Sequence, residues 1–564
     1  MERGRDEIGY AAVESGEWTI RDEEARRYVQ LATRGVESLV RSTLGPLGME
    51  KQIRTKNLQD EPETVQTADA SQILDAVERG EGFNHPVAAL FVDAIDSMQT
   101  GLADGSTTAI VLTAALVDNG LDRIEEGLHP GNVVIGYAMA AARAGEVLDE
   151  LAREVTVENT ARLRQVAATS MTSDLDAETR ETYASRVVEA VQALSRATDG
   201  EWLDTDDVKL LSAPPGEGGF YEGLIVRRFP GPLHESDRAK TEFDWSLLDP
   251  VEDATVALID REIDFERTGA TFGEGKESGV TVETLEQLET YTQELDAHLD
   301  GVAAQVASLG VDVLVSQPAV DDRIRTALDR HGVAVVDEVE YPLSDVYRLA
   351  RACDATVVGD LTDLTPDRLG TVPQVTERRV GDEKWTFFEG CDGGVFTLVV
   401  DVETETARTQ HERVLADALE VTALAVMDAQ VLPGAGAPAM AVAQELREYA
   451  PTIPDVEQLA VEAFAEALEQ VPVALAENAG ADPIDALAAL RVAHSTAETQ
   501  PASVGLAADG TTTDAWADGI VEPRRVFSQA IETANTVAEE LVTLDAVLYP
   551  NVDLETYTPR PERD

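Results

Sequence analysis

A carboxylate, a glycine and three hydroxyl side chains stand directly before an apolar segment of the chain. Asp104 and Gly105 are followed by Ser106, Thr107 and Thr108, and the next residues are almost all apolar. This pattern predicts a buried helix over about 107–121, with Asp104 and Ser106 as capping residues and Gly105 in a tight turn. The polar residues therefore lie where a helix is expected to begin.

The beginning of a helix is suited to binding phosphate. Its first N–H groups have no partner inside the helix, and the helix dipole places partial positive charge there. A carboxylate beside that position, such as Asp104, can hold Mg²⁺ on the phosphates, because Mg²⁺ prefers oxygen ligands. Taken by itself, the stretch favours an ordinary capped helix over a nucleotide site, since short motifs often occur by chance.

The composition is that of a folded and strongly acidic protein. The 564 residues carry a formal net charge of −63, and 43% of them are hydrophobic. That apolar fraction is normal for packed domains, and the length predicts about three of them. Arginine supplies 38 of the 44 basic residues, and the six lysines are Lys51, Lys56, Lys209, Lys240, Lys276 and Lys384.

An acid-rich, lysine-poor surface stays hydrated when salt screens its charges, so we expect a cytoplasmic protein from a high-salt cell. An acidic binding surface for basic partners is the weaker alternative, because the acid is spread along the whole chain. The negative charge argues against nucleic acid as a partner, because the acidic protein and the phosphate backbone would repel each other.

Disulfides, zinc sites and membrane segments are not predicted. The two cysteines, Cys353 and Cys391, are far apart in the sequence, and the seven histidines are scattered; neither pattern is typical of a disulfide framework or a zinc site. The first ten residues are charged and lack an apolar signal core. No apolar segment is long enough to span a membrane.

Helical periodicity dominates both ends of the chain and gives way to strands in the middle. The apolar spacing in residues 1–143 predicts almost only helices, and the same spacing predicts helices from His411 onward. Residues 144–212 are helical and polar. Short strands begin after 213, and a β-α-β-α-β alternation over 311–358 predicts a parallel sheet covered by helices. One helical region is thus split between the two ends.

Common catalytic motifs are absent or incomplete. The stretch from Gly269 to Glu277 is close to a phosphate-binding loop, but its glycine spacing is one residue too long and Glu277 replaces the hydroxyl that would contact Mg²⁺,. We interpret it as an exposed loop. No G-x-S-x-G or H-E-x-x-H pattern occurs, which argues against the corresponding hydrolases and metalloproteases.

Eight short stretches occur in one order along the chain, and together they are more specific than each is alone. They are Thr43-Leu44-Gly45-Pro46-Leu47-Gly48-Met49, Thr67-Ala68-Asp69, Asn84-His85-Pro86, Asp104-Gly105-Ser106-Thr107-Thr108, Asp417-Ala418-Leu419, Pro433-Gly434-Ala435-Gly436-Ala437-Pro438, Leu475-Ala476-Glu477-Asn478-Ala479-Gly480 and Gly519-Ile520-Val521-Glu522-Pro523. This series resembles the group II chaperonins, which comprise the archaeal thermosome and its eukaryotic cytosolic relatives. The resemblance covers nearly the whole chain.

The resemblance implies a multidomain α+β chaperonin fold. A mostly α equatorial domain would be built from residues 1–143 and 403–564. A small α/β intermediate domain would comprise 144–212 and 364–402, and an α/β apical domain would comprise 213–363. Within the apical domain, residues near 262–296 occupy the place of the helical protrusion that forms a built-in lid.

The resemblance also implies an ATPase that uses ATP and Mg²⁺, with K⁺ as a further candidate cation. Asp69 and Asp417 match the carboxylates that position or activate the attacking water, and domain closure would complete the site by bringing in Asp417. Asp104 matches the Mg²⁺ ligand, and Glu522 matches the acidic group on the ribose. The other expected nucleotide-binding residues are Leu44, Gly45, Pro46, Gly48, Gly105, Ser106, Thr107, Thr108, Gly434 and Gly436.

The chain departs from the family at several of these stretches. Leu47 stands where the family usually has lysine, and Asp174 stands at another usual lysine, in the stretch that begins with Thr169-Ser170. Usual glycines are replaced by Ala70, Ala103 and Ala435, and a glycine pair near the hinge is replaced around Asp401-Val402.

These departures leave two hypotheses. The first is an ATP-hydrolysing subunit of a homo- or hetero-oligomeric double ring that encloses unfolded or partly folded proteins. The second is a structural or regulatory ring subunit with weak or no hydrolysis, assembled with active paralogues.

Overall fold

The chain folds into two compact units, one formed by residues 1–184 and 420–564 and the other by residues 185–419. The first unit is called the terminal unit below, and the second the central unit. The computed structural model describes residues 18–56, 62–80, 86–99, 104–171, 175–198, 200, 202–228, 247–261, 285–339, 344–381, 383–391, 393–402, 405–496 and 501–549.

Seventeen α-helices lie in the described part of the chain. They are α1 Asp22–Val40, α2 Ala70–Gly80, α3 Pro86–Gln99, α4 Ser106–Glu125, α5 Pro130–Leu151, α6 Thr160–Ser170, α7 Ala177–Ala197, α8 Leu285–Ser308, α9 Asp322–Arg330, α10 Ser344–Cys353, α11 Glu405–Asp428, α12 Ala437–Tyr449, α13 Gln458–Leu468, α14 Gln470–Asn478, α15 Pro483–Thr496, α16 Ala515–Asp518 and α17 Arg524–Val542.

Seventeen strands accompany them in the same described ranges. They are β1 Trp18–Arg21, β2 Lys51–Lys56, β3 Pro62–Thr67, β4 Arg153–Glu154, β5 Val208–Ala213, β6 Gly219–Arg228, β7 Val251–Ile259, β8 Val313–Ser316, β9 Ala334–Val336, β10 Gly370–Val380, β11 Glu383–Glu389, β12 Phe396–Asp401, β13 Gln430–Pro433, β14 Val504–Leu506, β15 Thr512–Asp514, β16 Val521–Pro523 and β17 Ala546–Tyr549.

Helix α4 forms the centre of the terminal unit. It is apolar on nearly all sides, with Ile110, Leu112, Leu116 and Leu121 fully buried, as expected for a helix surrounded by others. Helices α1, α5, α13 and α17 pack around it. The predicted helix over 107–121 is confirmed.

Small sheets at the edge of the terminal unit differ from the prediction of an almost wholly helical first segment. Strands β1 and β17 pair antiparallel, β2 and β3 form a hairpin, and β16, β13 and β4 form a three-stranded antiparallel sheet. These strands are only two to six residues long, which is too short for an alternating pattern to stand out in the sequence,. Farther along the chain, helices α13 and α14 are separated at Glu469.

The central unit contains an eight-stranded mixed sheet in the order β5-β12-β6-β11-β10-β7-β8-β9. Strands β7, β8 and β9 are parallel, with α8 and α9 as their connections, which confirms the predicted β-α-β alternation. The predicted strand over 356–358 is reduced to one bridge between Ile259 and Val358. The antiparallel strands β6, β11 and β10 were not predicted as part of this sheet.

The mixed helix and sheet content agrees with the predicted fold class. The division into equatorial, intermediate and apical domains stays a prediction. The glycine-rich stretch from Gly269 to Glu277, most of the expected lid segment, Ala103 and Asp174 lie outside the described residues. Within the described ranges, no helix combines the length and apolar character needed to cross a membrane.

Candidate functional site

Helix α4 begins without a side-chain cap. Its N-cap residue is Gly105, in left-handed backbone at φ 92°, and the first helical bond runs from the Ala109 N–H to the Gly105 carbonyl at 2.9 Å. The prediction that Asp104 and Ser106 cap the helix is wrong, because the left-handed turn directs Asp104 Oδ1 to the N–H of Gly105, 2.6 Å away. The N–H groups of the first turn therefore remain suited to an anion.

Glycine is required at position 105 for two reasons. Its positive φ disfavours any residue with a Cβ, and a Cβ built there would lie 2.9 Å from Val526 Cγ1. Val526 belongs to the first turn of α17, shortly after Glu522. The beginning of α4 is thus held against the segment that carries Glu522.

Three acidic residues converge at this end of α4. Asp104 keeps some contact with solvent, but many protein atoms surround its carboxylate. The resulting desolvation and the nearby charge of Asp69 raise the pKa of Asp104 to about 6. Burial and the charge of Asp104 raise the pKa of Glu522 to about 8. Acidic groups whose pKa values rise in this way favour a bound cation, because it relieves their desolvation and repulsion.

Asp69 is fixed by the helix that follows it. Its Oδ1 accepts hydrogen bonds from the Ser71 hydroxyl at 2.5 Å and from the Gln72 N–H at 2.9 Å. The Asp69 N–H donates to Thr67 Oγ1 at 3.0 Å. Asp69 therefore caps α2, and both of these bonds to its carboxylate use the same oxygen.

The turn over residues 44–48 is anchored from two sides. The Asn478 amide donates to the carbonyls of Arg41 and Leu44, at 3.0 and 2.8 Å. Gly45 has φ 84°, and a Cβ on it would lie 2.4 Å from a methyl group of Leu475. The Thr43 hydroxyl lies 3.5 Å from the Thr107 hydroxyl, which brings the turn next to the beginning of α4.

The loop over residues 434–436 precedes a second uncapped helix. Gly436 is the N-cap of α12 at φ 74°, and a Cβ on it would lie 3.2 Å from Leu475. The Gly434 N–H donates to the Ile520 carbonyl at 2.8 Å. Leu475 therefore packs against both Gly45 and Gly436, so the two loops converge in the terminal unit.

Glu522 is placed by β16. In the antiparallel pairing with β13 it lies opposite Leu432, and its neighbour Val521 donates its N–H to the Thr169 hydroxyl at 3.0 Å. One short strand thus ties Glu522 to the loop over 434–436 and to helix α6.

The chain is similar to known chaperonin proteins over most of its length. Residues 36–551 match the model of the TCP-1/cpn60 chaperonin family. The chain is 34% identical over 528 residues to a thermosome subunit of Methanopyrus kandleri, covering 93% of this chain and 92% of that one. The thermosome subunit alpha of Halobacterium salinarum is 32% identical over 531 residues, covering 93% and 88%. The thermosome subunit beta of Thermococcus kodakarensis is 32% identical over 534 residues, covering 93% and 92%.

The chain belongs to the TCP-1/cpn60 chaperonin family. The predicted group II chaperonin is thereby confirmed, and with it an ATP-dependent subunit that assists protein folding in oligomeric rings.

The structure brings most of the predicted site residues of the chaperonin together in the terminal unit. The turn over 44–48, Asp69, the residues 104–108, the loop over 434–436 and Glu522 all belong to it. Asp417 lies on α11 in the central unit, just before the boundary at Glu420, so its assignment stays a prediction.

The residues of the terminal unit fit a nucleotide with Mg²⁺. The first turn of α4 lacks a side-chain cap, and the carboxylate of Asp104 lies directly before it. Within the described residues, no three His, Cys, Asp or Glu side chains form a metal-binding group.

Several supporting residues of the chaperonin site were not predicted individually. Stretches that were compared with the family contain Thr43, Thr169, Leu475 and Asn478, but none of these four was predicted as a site residue, and Val526 lies outside those stretches. Their roles depend on contacts between distant segments, for which a single sequence carries no signal.

Proposed function

We propose that the terminal unit binds Mg-ATP between the beginning of α4, the turn over 44–48, the loop over 434–436 and Glu522. The observation that supports this most directly is the uncapped first turn of α4 beside Asp104. Phosphate oxygens would accept hydrogen bonds from its N–H groups and hydroxyls. From the family resemblance, the further proposed contacts are Leu44, Gly45, Pro46 and Gly48 of the turn and Gly434 and Gly436 of the loop.

Each acidic residue has a distinct proposed role. Asp104 holds Mg²⁺, which supplies charge neutralisation at the phosphates when bound. Asp69 has Oδ1 fixed by Ser71 and Gln72, so Oδ2 can orient the attacking water,. Glu522 accepts hydrogen bonds from the ribose. Asp417 is proposed as the second water-activating carboxylate, from the family resemblance alone.

The test is Mg²⁺-dependent phosphate release by the purified full-length chain in high salt. We expect Asp69→Ala and Asp417→Ala to lower the rate at saturating ATP by about 10²-fold or more and to leave nucleotide binding largely intact. Asp104→Ala should remove the Mg²⁺ dependence of binding. Asp93→Ala, which removes an exposed carboxylate of α3, is the control. Unchanged rates in both catalytic variants would refute these roles.

A second candidate, a ring subunit with weak hydrolysis, is favoured by Leu47. This side chain is 51% exposed in the turn over 44–48, at the position where a lysine would face the phosphates. Loss of one cation opposite phosphate weakens binding by about 1–3 kcal/mol, and a high K⁺ concentration could partly compensate. Under this hypothesis, Leu47→Lys combined with Asp174→Lys should raise phosphate release strongly.

The partners we propose are unfolded or partly folded proteins and other chaperonin subunits in a double ring with a built-in lid, in the cytoplasm. Native mass spectrometry in high salt, with and without ATP, would test the assembly. A ring containing only this chain supports the ATP-hydrolysing homo-oligomer. A ring that requires paralogues supports the regulatory subunit, and a monomer under all conditions would contradict both.

A further inference from the structure

Two guanidinium groups lie over the indole ring of Trp516. Arg153 Cζ is 4.1 Å from the ring centroid and Arg162 Cζ is 4.8 Å from it. Arg153 belongs to β4, Arg162 to the first turn of α6 and Trp516 to α16. Two cation–π contacts therefore join Trp516 of α16 to arginines of β4 and α6 that lie more than 350 residues earlier in the sequence,.

This arrangement holds two like charges on one ring. Burial and the charge of Arg153 lower the pKa of Arg162, so the pair is repulsive by itself. Arg162 also donates to the Gln165 side chain at 2.9 Å. Because the aromatic faces attract the cations, an aliphatic side chain at position 516 would leave the repulsion without compensation.

The chain from Trp516 to Glu522 runs along α6. A Cβ on Gly519 would lie 2.7 Å from the Gln165 amide nitrogen, and the Val521 N–H donates to the Thr169 hydroxyl at 3.0 Å. Helix α6 thus contacts the segment 516–522 near the segment's beginning, through Arg162, and near its end, through Thr169. Within the described residues, the Glu522 carboxylate has no hydrogen bond or ion pair of its own, so its direction depends on the backbone that carries it.

We propose that Trp516, held by its cation–π contacts with Arg153 and Arg162, is a positioning residue that orients Glu522 toward the ribose of the bound nucleotide. This inference rests on the proposed role of Glu522. The indole does not touch the nucleotide; it fixes one end of the segment 516–522, and the Thr169 and Ile520 hydrogen bonds fix the other.

The experiment measures the ribose preference of the full-length chain in high salt. Dissociation constants for ADP, 2′-deoxy-ADP and 3′-deoxy-ADP would be compared by calorimetry. A hydrogen bond between the Glu522 carboxyl group and a ribose hydroxyl predicts a preference of about three- to tenfold for ADP over at least one deoxy analogue. We expect Glu522→Ala to abolish this preference, Trp516→Ala to reduce it to about twofold, and Trp516→Phe to retain it, because the aromatic faces remain.

A double-mutant comparison separates positioning from general damage. If Trp516 acts through Glu522, the Trp516→Ala/Glu522→Ala variant should bind ADP no more weakly than Glu522→Ala alone. Independent, multiplied losses would overturn the inference. If Trp516→Ala does not fold, Arg162→Ala provides a second test, with Arg164→Ala on the same helix as the matched control. Only Arg162→Ala should reduce the ribose preference. Equal effects of the two variants would overturn the inference.

The ribose contact of Glu522 and the positioning role of Trp516 would be contradicted by different results. If Glu522→Ala keeps the preference for ADP, Glu522 does not contact the ribose and the proposed nucleotide role of this residue is wrong. If Glu522→Ala loses the preference but Trp516→Ala and Arg162→Ala keep it, only the positioning role is wrong.

Discussion

Asp104 and Glu522, which are more than 400 residues apart in the sequence, lie within electrostatic range of each other. Burial and the charge of Asp104 raise the pKa of Glu522 to about 8, while the pKa of Asp104 is about 6. At neutral pH, Glu522 is therefore mostly protonated in the nucleotide-free protein, and the pair resists carrying two negative charges.

Replacing Glu522 by glutamine should stabilise the nucleotide-free protein. A carboxyl whose pKa is higher in the folded state opposes folding where the unfolded state is ionised. For Glu522 this penalty begins near the ordinary value of 4.5 and is complete above about pH 8,. We expect Glu522→Gln to raise the free energy of unfolding by roughly 2–4 kcal/mol at pH 8.

The measurement is denaturant unfolding between pH 4 and pH 9. The stability difference should close as the pH falls below the ordinary pKa of glutamate, because both proteins are then uncharged at position 522. Glu125→Gln, on the exposed end of α4, should show no such pH dependence. A difference that is the same at all pH values would contradict the interpretation.

Replacing Ala435 by glycine should stabilise the loop before α12. Ala435 has φ 62°, a left-handed conformation that is unfavourable for a residue with a Cβ, and its carbonyl accepts the Leu506 N–H at 3.0 Å. We expect a gain of about 0.5–1 kcal/mol after the greater flexibility of glycine in the unfolded chain is included. Ala443→Gly, inside α12, should instead lower the unfolding temperature; a lower value for Ala435→Gly as well would refute the prediction.

Replacing Glu469 by glutamine should have the opposite pH dependence. Burial by itself raises the pKa of this group, but hydrogen bonds from Arg491 and Arg447 outweigh it and lower the pKa below its usual value. Glu469 is 3% exposed and lies 2.7 Å from Arg447 and 2.5 Å from Arg491. It therefore ties α12 and α15 to the break between α13 and α14.

A lowered carboxyl pKa stabilises the folded state above the ordinary glutamate value of 4.5, and this effect is lost as the pH falls through the folded-state pKa. Glu469→Gln should cost about 2–3 kcal/mol at neutral pH and progressively less in acid. Thermal unfolding at several pH values would measure this. Glu466→Gln, at an exposed neighbour, should change little, and an equal loss there would argue against the ion pairs.

Salt should stabilise the folded chain. A net charge of −63 makes the compact state repel itself, and the screening length falls from about 10 Å at 0.1 M to about 3 Å at 1 M salt. The unfolding temperature should therefore rise from low to high KCl concentration. An unfolding temperature that is unchanged or falls with KCl would contradict the expected adaptation to high salt.

The sequence alone determined the features that depend on local pattern and on ordered motifs. The apolar run after Thr108 was enough to predict α4, and the alternation over 311–358 was enough to predict β8, α9 and β9, because periodic burial leaves its mark on consecutive residues. The ordered stretches from Thr43 to Glu522 were enough to identify the chaperonin family, although each was weak by itself.

The tertiary structure decided what depends on contacts between distant segments. Asp104 fails to cap α4 because Gly105 adopts left-handed backbone against Val526, and Trp516 meets Arg153 and Arg162 only after β4, α6 and α16 have come together. The raised pKa of Glu522 has the same origin. These contacts and pKa shifts arise from the packing of residues that lie hundreds of positions apart in the sequence. No local pattern in the chain therefore encodes them.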